Sequence, residues 1–343
     1  MKGRMRKLTS LLAALLVSAT FLGCSPNMNV NENCDIPKED TYSVTVTDHA
    51  GRTVTIEEEP DTIVSGYYIS TSMLLALGEG DNLVGIENSG DKRPIYALSA
   101  PQLLELPAMG TVKEFDLETC ALLNPDLVIL PFKLEHMVQP LEELDIPVLI
   151  VKPETQELLL DTIKILGEAT NTEDRAKELQ DFISQNVEQV GKQLPKDRPT
   201  VYLAGNSSFL STAGPQMYQH TLIEYAGGEN VASSLTDTYW AEVSYEQVLA
   251  WNPQYIILAA DASYTVEDVL NDKNLAACDA VQNGHVYKLP NAIECWDSPI
   301  PGSVLGVSWL TSVLHPQQYD VKQYETMVME FYERFYGVTP ILE

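Results

Sequence analysis

Positive charge is scarce in this sequence. Its 343 residues include 21 Lys and Arg against 49 Asp and Glu, so the formal net charge at pH 7 is −28. Such an acidic surface repels phosphate backbones, and nucleic-acid binding is therefore disfavoured. Because 45% of the residues are hydrophobic, the chain is too apolar for a disordered protein. Its length is sufficient for two lobes.

Motifs for catalysis and for metal capture are also missing. No G-x-S-x-G, H-E-x-x-H or glycine-rich phosphate loop is found, and no two histidines are spaced at i, i+4. The five cysteines form no C-x-x-C or Cys/His cluster of the kind that holds structural zinc. We therefore predict no catalytic residue, no metal site and no cofactor. A secreted hydrolase stays open as the alternative in another class, since catalytic residues need not be close in sequence.

The sequence has a single long apolar run, over residues 11–22, and four cations precede it. The run is too short for a comfortable transmembrane helix and has the layout of an export signal. It ends in the letters FLGC, which resemble a bacterial lipobox whose last residue is Cys24. We predict a lipoprotein signal peptide at 1–23, lipidation of Cys24 and a flexible polar tether at 24–40. The alternative is an ordinary signal peptide with an incidental cysteine.

Short β-branched runs alternate with helical stretches through the rest of the chain. This alternation is typical of parallel sheets flanked by helices, so the predicted fold class is α/β. After a β-hairpin over 42–59, the segments that predict strands are 62–65, 83–86, 126–130, 148–151, 200–204, 255–258 and 286–289.

Two segments of the chain are similar to each other. Glu118 is followed by a helical stretch, Asn124-Pro125 and an apolar strand, and Glu246 is followed in the same way by Asn252-Pro253 and a second strand. Each pair of identical residues in the two copies is separated by the same number of residues as Glu118 and Glu246. Proline ends each helix because it disfavours helical geometry in the preceding residue. Two copies in register indicate two lobes of like construction.

A long amphipathic helix lies between the copies. Apolar residues recur at three- and four-residue steps over 172–194, with Thr172 as the expected N-cap. We predict an N-terminal lobe at 41–168, an inter-lobe helix at 169–196 and a C-terminal lobe at 197–343. One rigid helical connector predicts limited opening between the lobes.

The lipobox, the hairpin, the doubled Glu…Asn-Pro…strand and the long helix coincide in one known family. The chain resembles a substrate-binding lipoprotein of an ATP-binding-cassette (ABC) importer, of the type that serves iron–siderophore, haem and cobalamin uptake. The resemblance implies two Rossmann-like lobes with parallel-rich sheets and a ligand cleft between them. It implies a lipid-anchored monomer outside the cytoplasm. It also implies that Glu118 and Glu246 dock on arginines of a permease dimer that works with ATPase subunits.

Candidate ligand residues follow predicted strands or lie in the late loops. Aromatic rings offer a large flat contact area at low entropic cost, and the resemblance favours Trp240 and Asp297 most. The full set is Tyr67, Tyr68, Ser70, Lys133, Phe209, Trp240, Trp296 and Asp297. Lys113, Lys133 and Arg93 are the nearest cations for an anionic ligand.

The sequence is compatible with two classes of ligand. Trp240, Trp296 and Tyr68 suit a large flat guest, so we expect a metal chelate: a ferric siderophore, haem or cobalamin. The alternative is a molybdate or tungstate oxyanion held by Tyr67, Ser70, Thr71 and Ser298. The sequence determines neither the ligand, nor its affinity, nor the partner permease.

Overall fold

A computed structural model describes residues 42–236 and 238–341 of the chain. The predicted signal peptide, Cys24 and the tether lie outside the described residues. None of the helices in the described ranges has both the length and the apolar character that a membrane span requires.

The first lobe contains a four-stranded parallel sheet with the strand order β4-β3-β7-β8 and two separate antiparallel hairpins, β1-β2 and β5-β6. Its strands are β1 (Val44–Thr47), β2 (Thr53–Ile56), β3 (Ile63–Ser65), β4 (Leu83–Gly85), β5 (Gly110–Thr111), β6 (Glu114–Phe115), β7 (Leu127–Pro131) and β8 (Val148–Val151). Its helices are α1 (Tyr68–Leu77), α2 (Pro94–Ser99), α3 (Leu117–Leu123), α4 (Val138–Glu142) and α5 (Gln156–Ala169).

The connecting helix α6 (Glu173–Gln193) leads into a second, six-stranded sheet. Its strands are β9 (Thr200–Ala204), β10 (Ser211–Ala213), β11 (Glu229–Asn230), β12 (Trp240–Glu242), β13 (Tyr255–Leu258) and β14 (Val286–Lys288). The helices of this half are α7 (Tyr218–Tyr225), α8 (Tyr245–Trp251), α9 (Val266–Leu270), α10 (Asp279–Gln282), α11 (Ser303–Leu314) and α12 (Val321–Tyr336).

The strands of the second sheet run in the order β12-β10-β9-β13-β14, and β11 pairs with β9 at the same edge as β10. Strands β9, β11, β13 and β14 are parallel, whereas β10 pairs antiparallel with β9 on one side and with β12 on the other. Every predicted strand is present within one residue of its predicted ends. The α/β fold class with two parallel-rich sheets and a connecting helix is confirmed. The antiparallel edge was not predicted.

Apolar cores lie on both faces of each sheet. In the first lobe, Ile129 and Leu149 belong to the core on one face, and Val128 and Leu130 belong to the core on the other. The second sheet is covered in the same way on its two faces. Strand β7 is buried at all five positions because both faces of its sheet are covered. A strand buried on both faces needs a continuous apolar run, which is what its sequence shows.

Helix α6 buries the apolar stripe expected from the sequence, including Ala176, Leu179 and Ile183. Its 21 residues span about 32 Å. Thr172 occupies the N-cap position, but its side chain makes no capping hydrogen bond. Its hydroxyl instead lies 2.9 Å from the hydroxyl of Thr170.

The last helix returns to the first lobe. Met327, Val328, Phe331 and Phe335 of α12 are buried in the same core as Met73 of α1. The assignment of 197–343 to the second lobe did not anticipate this return. The segment that joins β14 to α12 therefore passes between the lobes, and together with α6 it restrains their separation.

The β1-β2 hairpin is held against the first sheet by a buried carboxylate. Asp48 accepts hydrogen bonds from the backbone N–H groups of Arg52 and Ile150, at 3.0 and 3.1 Å. The Arg52 guanidinium donates to the same carboxylate and to the carbonyl oxygen of Val148. The Asp48 side chain is fully buried.

We predict that Asp48→Ala lowers the free energy of unfolding by about 3 kcal/mol, because removal of one partner leaves a charged group and several N–H groups unpaired. Urea unfolding followed by circular dichroism measures this change. Asp181→Ala is the matched control, since Asp181 pairs with Lys177 on an exposed surface of α6 and such pairs contribute little. Equal stability of the two variants would contradict the role given to Asp48.

Candidate functional site

The carboxyl ends of the parallel strands in both sheets lead into segments that meet between the lobes. In α/β sheets this edge is where ligands bind. Two hydrogen bonds connect the facing segments: Tyr68 OH donates to Ser298 Oγ at 3.1 Å, and Tyr218 OH donates to Gln156 Oε1 at 3.2 Å. We call the region around the first of them, formed by Tyr68, Arg93 and residues 294–298, the seam.

A tight turn between β3 and α1 presents the tyrosines. A Cβ atom on Gly66 would lie 2.7 Å from Leu130 Cδ2, so any larger residue in this turn would displace the Leu130 side chain. The Ser70 hydroxyl donates to the carbonyl oxygen of Tyr67 at 2.8 Å. Ser70 is fully buried, so in this structure it shapes the turn that carries Tyr67 and Tyr68.

Arg93 lies at the seam without an ion-pair partner among the described residues. Its guanidinium carbon is 4.1 Å from the centroid of the Tyr68 ring, a cation–π arrangement. Within 42–236 and 238–341, no carboxylate lies within ion-pair distance of Arg93 and its guanidinium makes no hydrogen bond. The other arginines of these ranges are all bonded to carboxylates or backbone carbonyl groups; they are Arg52, Arg175, Arg198 and Arg334.

A cavity of about 10 Å³ adjoins Arg93. Its volume corresponds to about one water molecule. The residues that line it are Tyr68, Ser72, Arg93, Ile95, Tyr96, Glu294, Cys295 and Ile300.

Buried carboxyl groups surround the seam. Burial raises the pKa of Glu294 to about 7 and the pKa of Asp297 to about 6. Burial also raises the pKa of Glu87, which accepts hydrogen bonds from Thr71 and Tyr96. At any given pH a larger fraction of these groups is protonated than of exposed carboxyl groups, so their attraction to the Arg93 guanidinium is reduced.

The structure places Tyr68 and Asp297 in the seam and brings Tyr67 into contact with Tyr68. The rings of Tyr67 and Tyr68 are in edge contact, with centroids 5.4 Å apart. Asp297 is only 4% exposed and accepts a hydrogen bond from Ala260 N at 3.1 Å. This bond ties the segment 294–298 to the end of β13.

Other predicted ligand residues have different surroundings. Trp296 is 3% exposed in the first core, and its Nε1 donates to Tyr332 OH at 2.8 Å. Phe209 packs against Tyr202 in the second lobe, with ring centroids 5.3 Å apart. Trp240 is half-buried on β12 and lies close to Gly205. Lys133 is exposed in the turn after β7.

The two repeated glutamates occupy equivalent positions. Glu118 and Glu246 are exposed in the first turns of α3 and α8, two helices of seven residues each. The helices end alike, because Asn124 and Asn252 adopt left-handed conformations with φ values of 45° and 43°. Asparagine tolerates this conformation, so it contributes to the end of each helix. The prediction from the sequence considered only the proline that follows.

Comparison with known proteins decides the family. The model of the periplasmic binding protein family matches residues 63–293, more than half of the chain. The chain belongs to the periplasmic binding protein family. The resemblance seen in the sequence is thereby confirmed.

Two relatives of this periplasmic binding protein span most of its length. A molybdate-binding protein of Haemophilus influenzae is 25% identical over 96% of this chain and 97% of its own. An Fe(3+)-citrate-binding protein of Bacillus subtilis is 26% identical over 82% of this chain and 89% of its own. The crystal structure of a periplasmic solute-binding protein from Veillonella parvula superimposes with a TM-score of 0.77 and 26% identity, covering 88% of this chain and 94% of that one.

Sequence reasoning missed the buried acids Glu87 and Glu294. Each is a single acidic residue outside the repeat, so no periodicity or motif distinguishes it from a surface acid. No group of three or more His, Cys, Asp and Glu residues suited to hold a metal ion occurs in the part of this binding protein that the structure describes.

We predict that Glu294→Gln changes how stability depends on pH. The pKa of Glu294 is raised from 4.5 to about 7, so between these values the folded protein keeps a proton that the unfolded chain has released. This group therefore lowers the free energy of unfolding as pH rises through that window, by about 3 kcal/mol. Urea unfolding at pH 5 and pH 8 should show a smaller loss in Glu294→Gln. An identical loss in both proteins would contradict the prediction.

Proposed function

We propose that this protein is the extracytoplasmic substrate-binding component of an ABC importer and that its cargo is an anionic, oxygen-rich metal species bound against Arg93. Membership of the periplasmic binding protein family supports the first part. The matching exposed glutamates on the two lobes support it as well. Lipidation of Cys24 would anchor the monomer to the outer face of the cell membrane.

The Arg93 guanidinium, which has no carboxylate partner in the part of the chain that the structure describes, is the observation that carries the choice of an anionic cargo. An arginine that is half-buried among acidic residues normally has a carboxylate partner, and the chain offers 49 acidic residues. The hydroxyl groups of Tyr68 and Ser298 lie at the same place and can donate hydrogen bonds to oxygen atoms. Arginine with hydroxyl donors is a set that suits an oxyanion or a carboxylate-rich chelate.

Two kinds of cargo share this chemistry: a metal oxyanion such as molybdate and a ferric chelate such as ferric citrate. The relatives described above bind one of each. The sequence favoured the chelate partly because of Trp296, which the structure places in the core. The restrained lobes favour the more compact ion, so molybdate is the first candidate. A ferric siderophore, haem or cobalamin would require the lobes to separate further.

We predict that Arg93→Gln weakens cargo binding by about 30-fold or more, because loss of one partner of a buried charge pair costs at least about 2 kcal/mol. Isothermal titration with molybdate and with ferric citrate measures the affinity, and haem and cobalamin serve as further probes. Lys164→Gln, which removes an exposed cation on α5 of the same lobe, should bind as the native protein does.

The pattern of binding separates the candidates. Binding of molybdate alone supports the oxyanion, and binding of ferric citrate alone supports the chelate. Binding of haem or cobalamin with no effect of Arg93→Gln would contradict the anionic cargo. Failure of all four probes to bind would count against the proposed cargo classes.

The exposed glutamates generate a separate prediction for the partner. Glu118→Lys combined with Glu246→Lys should abolish uptake of the bound probe by the reconstituted importer, because each lysine would face an arginine of the permease. Probe affinity in solution should stay unchanged. The matched control combines Glu157→Lys and Glu267→Lys, which reverse exposed first-turn glutamates on α5 and α9. Equal uptake by the two double variants would contradict docking through Glu118 and Glu246.

A further inference from the structure

A buried carboxylate joins three separate parts of the chain beside the seam. Glu294 Oε1 accepts a hydrogen bond from Ser72 Oγ of α1 at 2.5 Å, and Oε2 accepts one from Tyr332 OH of α12 at 3.0 Å. Trp296 Nε1 donates to Tyr332 OH at 2.8 Å. Tyr336 OH lies 3.0 Å from Ser72 Oγ and donates to the Ser72 carbonyl oxygen at 3.1 Å.

This network is not needed for packing alone. Removal of a carboxyl group from water is costly, and apolar side chains of similar volume usually fill a core at least as well. Fully bonded polar networks instead fix the relative positions of the elements that contribute to them. Here those elements are α1, α12 and the segment that contains Glu294.

Two of the elements fixed by the network, α1 and the segment 294–298, form part of the seam. Helix α1 begins with Tyr68, and Ser298 lies four residues after Glu294 in the chain. The cavity beside Arg93 is lined by Ser72 and Glu294 themselves. Displacement of the segment 294–298 relative to α1 would separate the Tyr68 and Ser298 hydroxyl groups.

We propose that Glu294 is a positioning residue for the cargo site, holding the segment 294–298 against α1 so that Ser298, Tyr68 and Arg93 face the same ligand. This inference rests on the proposed function in so far as the seam is the cargo site. The position of the segment itself can be tested without any cargo.

Cys295 provides the cargo-independent measurement. It is half-buried, lines the cavity and forms no disulfide with another described residue. In Glu294→Gln, the amide NH2 cannot accept the hydrogen bond that one carboxylate oxygen accepts, so the segment is held less tightly. We expect alkylation of Cys295, mapped on the full chain by mass spectrometry, to become about 10-fold faster.

Glu79→Gln is the matched control. Glu79 is as buried as Glu294, at 8% exposure, and it bonds Asn82 in the turn after α1, outside the seam. This variant should leave the Cys295 rate unchanged. If Glu294→Gln does not fold, Tyr332→Phe removes the hydroxyl shared by Glu294 and Trp296 and should give the same change to a smaller degree.

Titration with molybdate and ferric citrate completes the test. If Glu294 positions the cargo site, Glu294→Gln should bind the probe about 10-fold more weakly, whereas Glu79→Gln should bind it as the native protein does. Equal Cys295 rates, or equal affinity in Glu294→Gln and Glu79→Gln, would overturn the inference. If the native protein binds neither probe while Cys295 still reacts faster in Glu294→Gln, the proposed cargo fails but the positioning of the segment stands.

Discussion

The Arg93 guanidinium rests on the Tyr68 ring and has no carboxylate partner in the described ranges, although acidic residues outnumber basic ones more than two to one. A half-buried cation in this position keeps its charge available to a ligand. The carboxyl groups nearest to it are buried, and the raised pKa values of Glu294 and Asp297 reduce their competition for that charge. The choice of an anionic cargo depends on this arrangement.

The architecture explains why the seam is narrow. Helix α6 connects the lobes once, and the return of α12 to the first core connects them again. Between these two connections the segment 294–298 is bonded both to α1 and to the end of β13. Large hinge motions would break these bonds, whereas small adjustments around a compact ligand would not. The exposed glutamates on α3 and α8 face solvent and are independent of these restraints.

Much of the fold could be predicted from the sequence because parallel strands buried on both faces are continuous apolar runs. The repeat around Glu118 and Glu246 was also visible, since both copies need the same short helix and the same asparagine end. Strands β10 and β12 were missed because each has only three residues, too few to show a pattern in the sequence. The return of α12 was missed because an amphipathic stripe shows that a helix is buried but does not show which core receives it.

The site was harder to predict than the fold. Trp296 and Phe209 have the residue type expected of ligand contacts, yet aromatic rings serve equally well in cores. The structure places Trp296 in the first core and packs the partly buried Phe209 against a core of the second lobe. Arg93 was nominated only as one of three cations. Its importance depends on the lack of a carboxylate partner among the described residues, and pairing between distant residues cannot be read from one sequence.

The most direct test of the central claim is anomalous X-ray diffraction from crystals grown with molybdate or ferric citrate. The anionic-cargo account predicts a metal peak at the seam, with ligand oxygen atoms bonded to Arg93. A peak elsewhere in the cleft, with Arg93 still without a ligand, would contradict it.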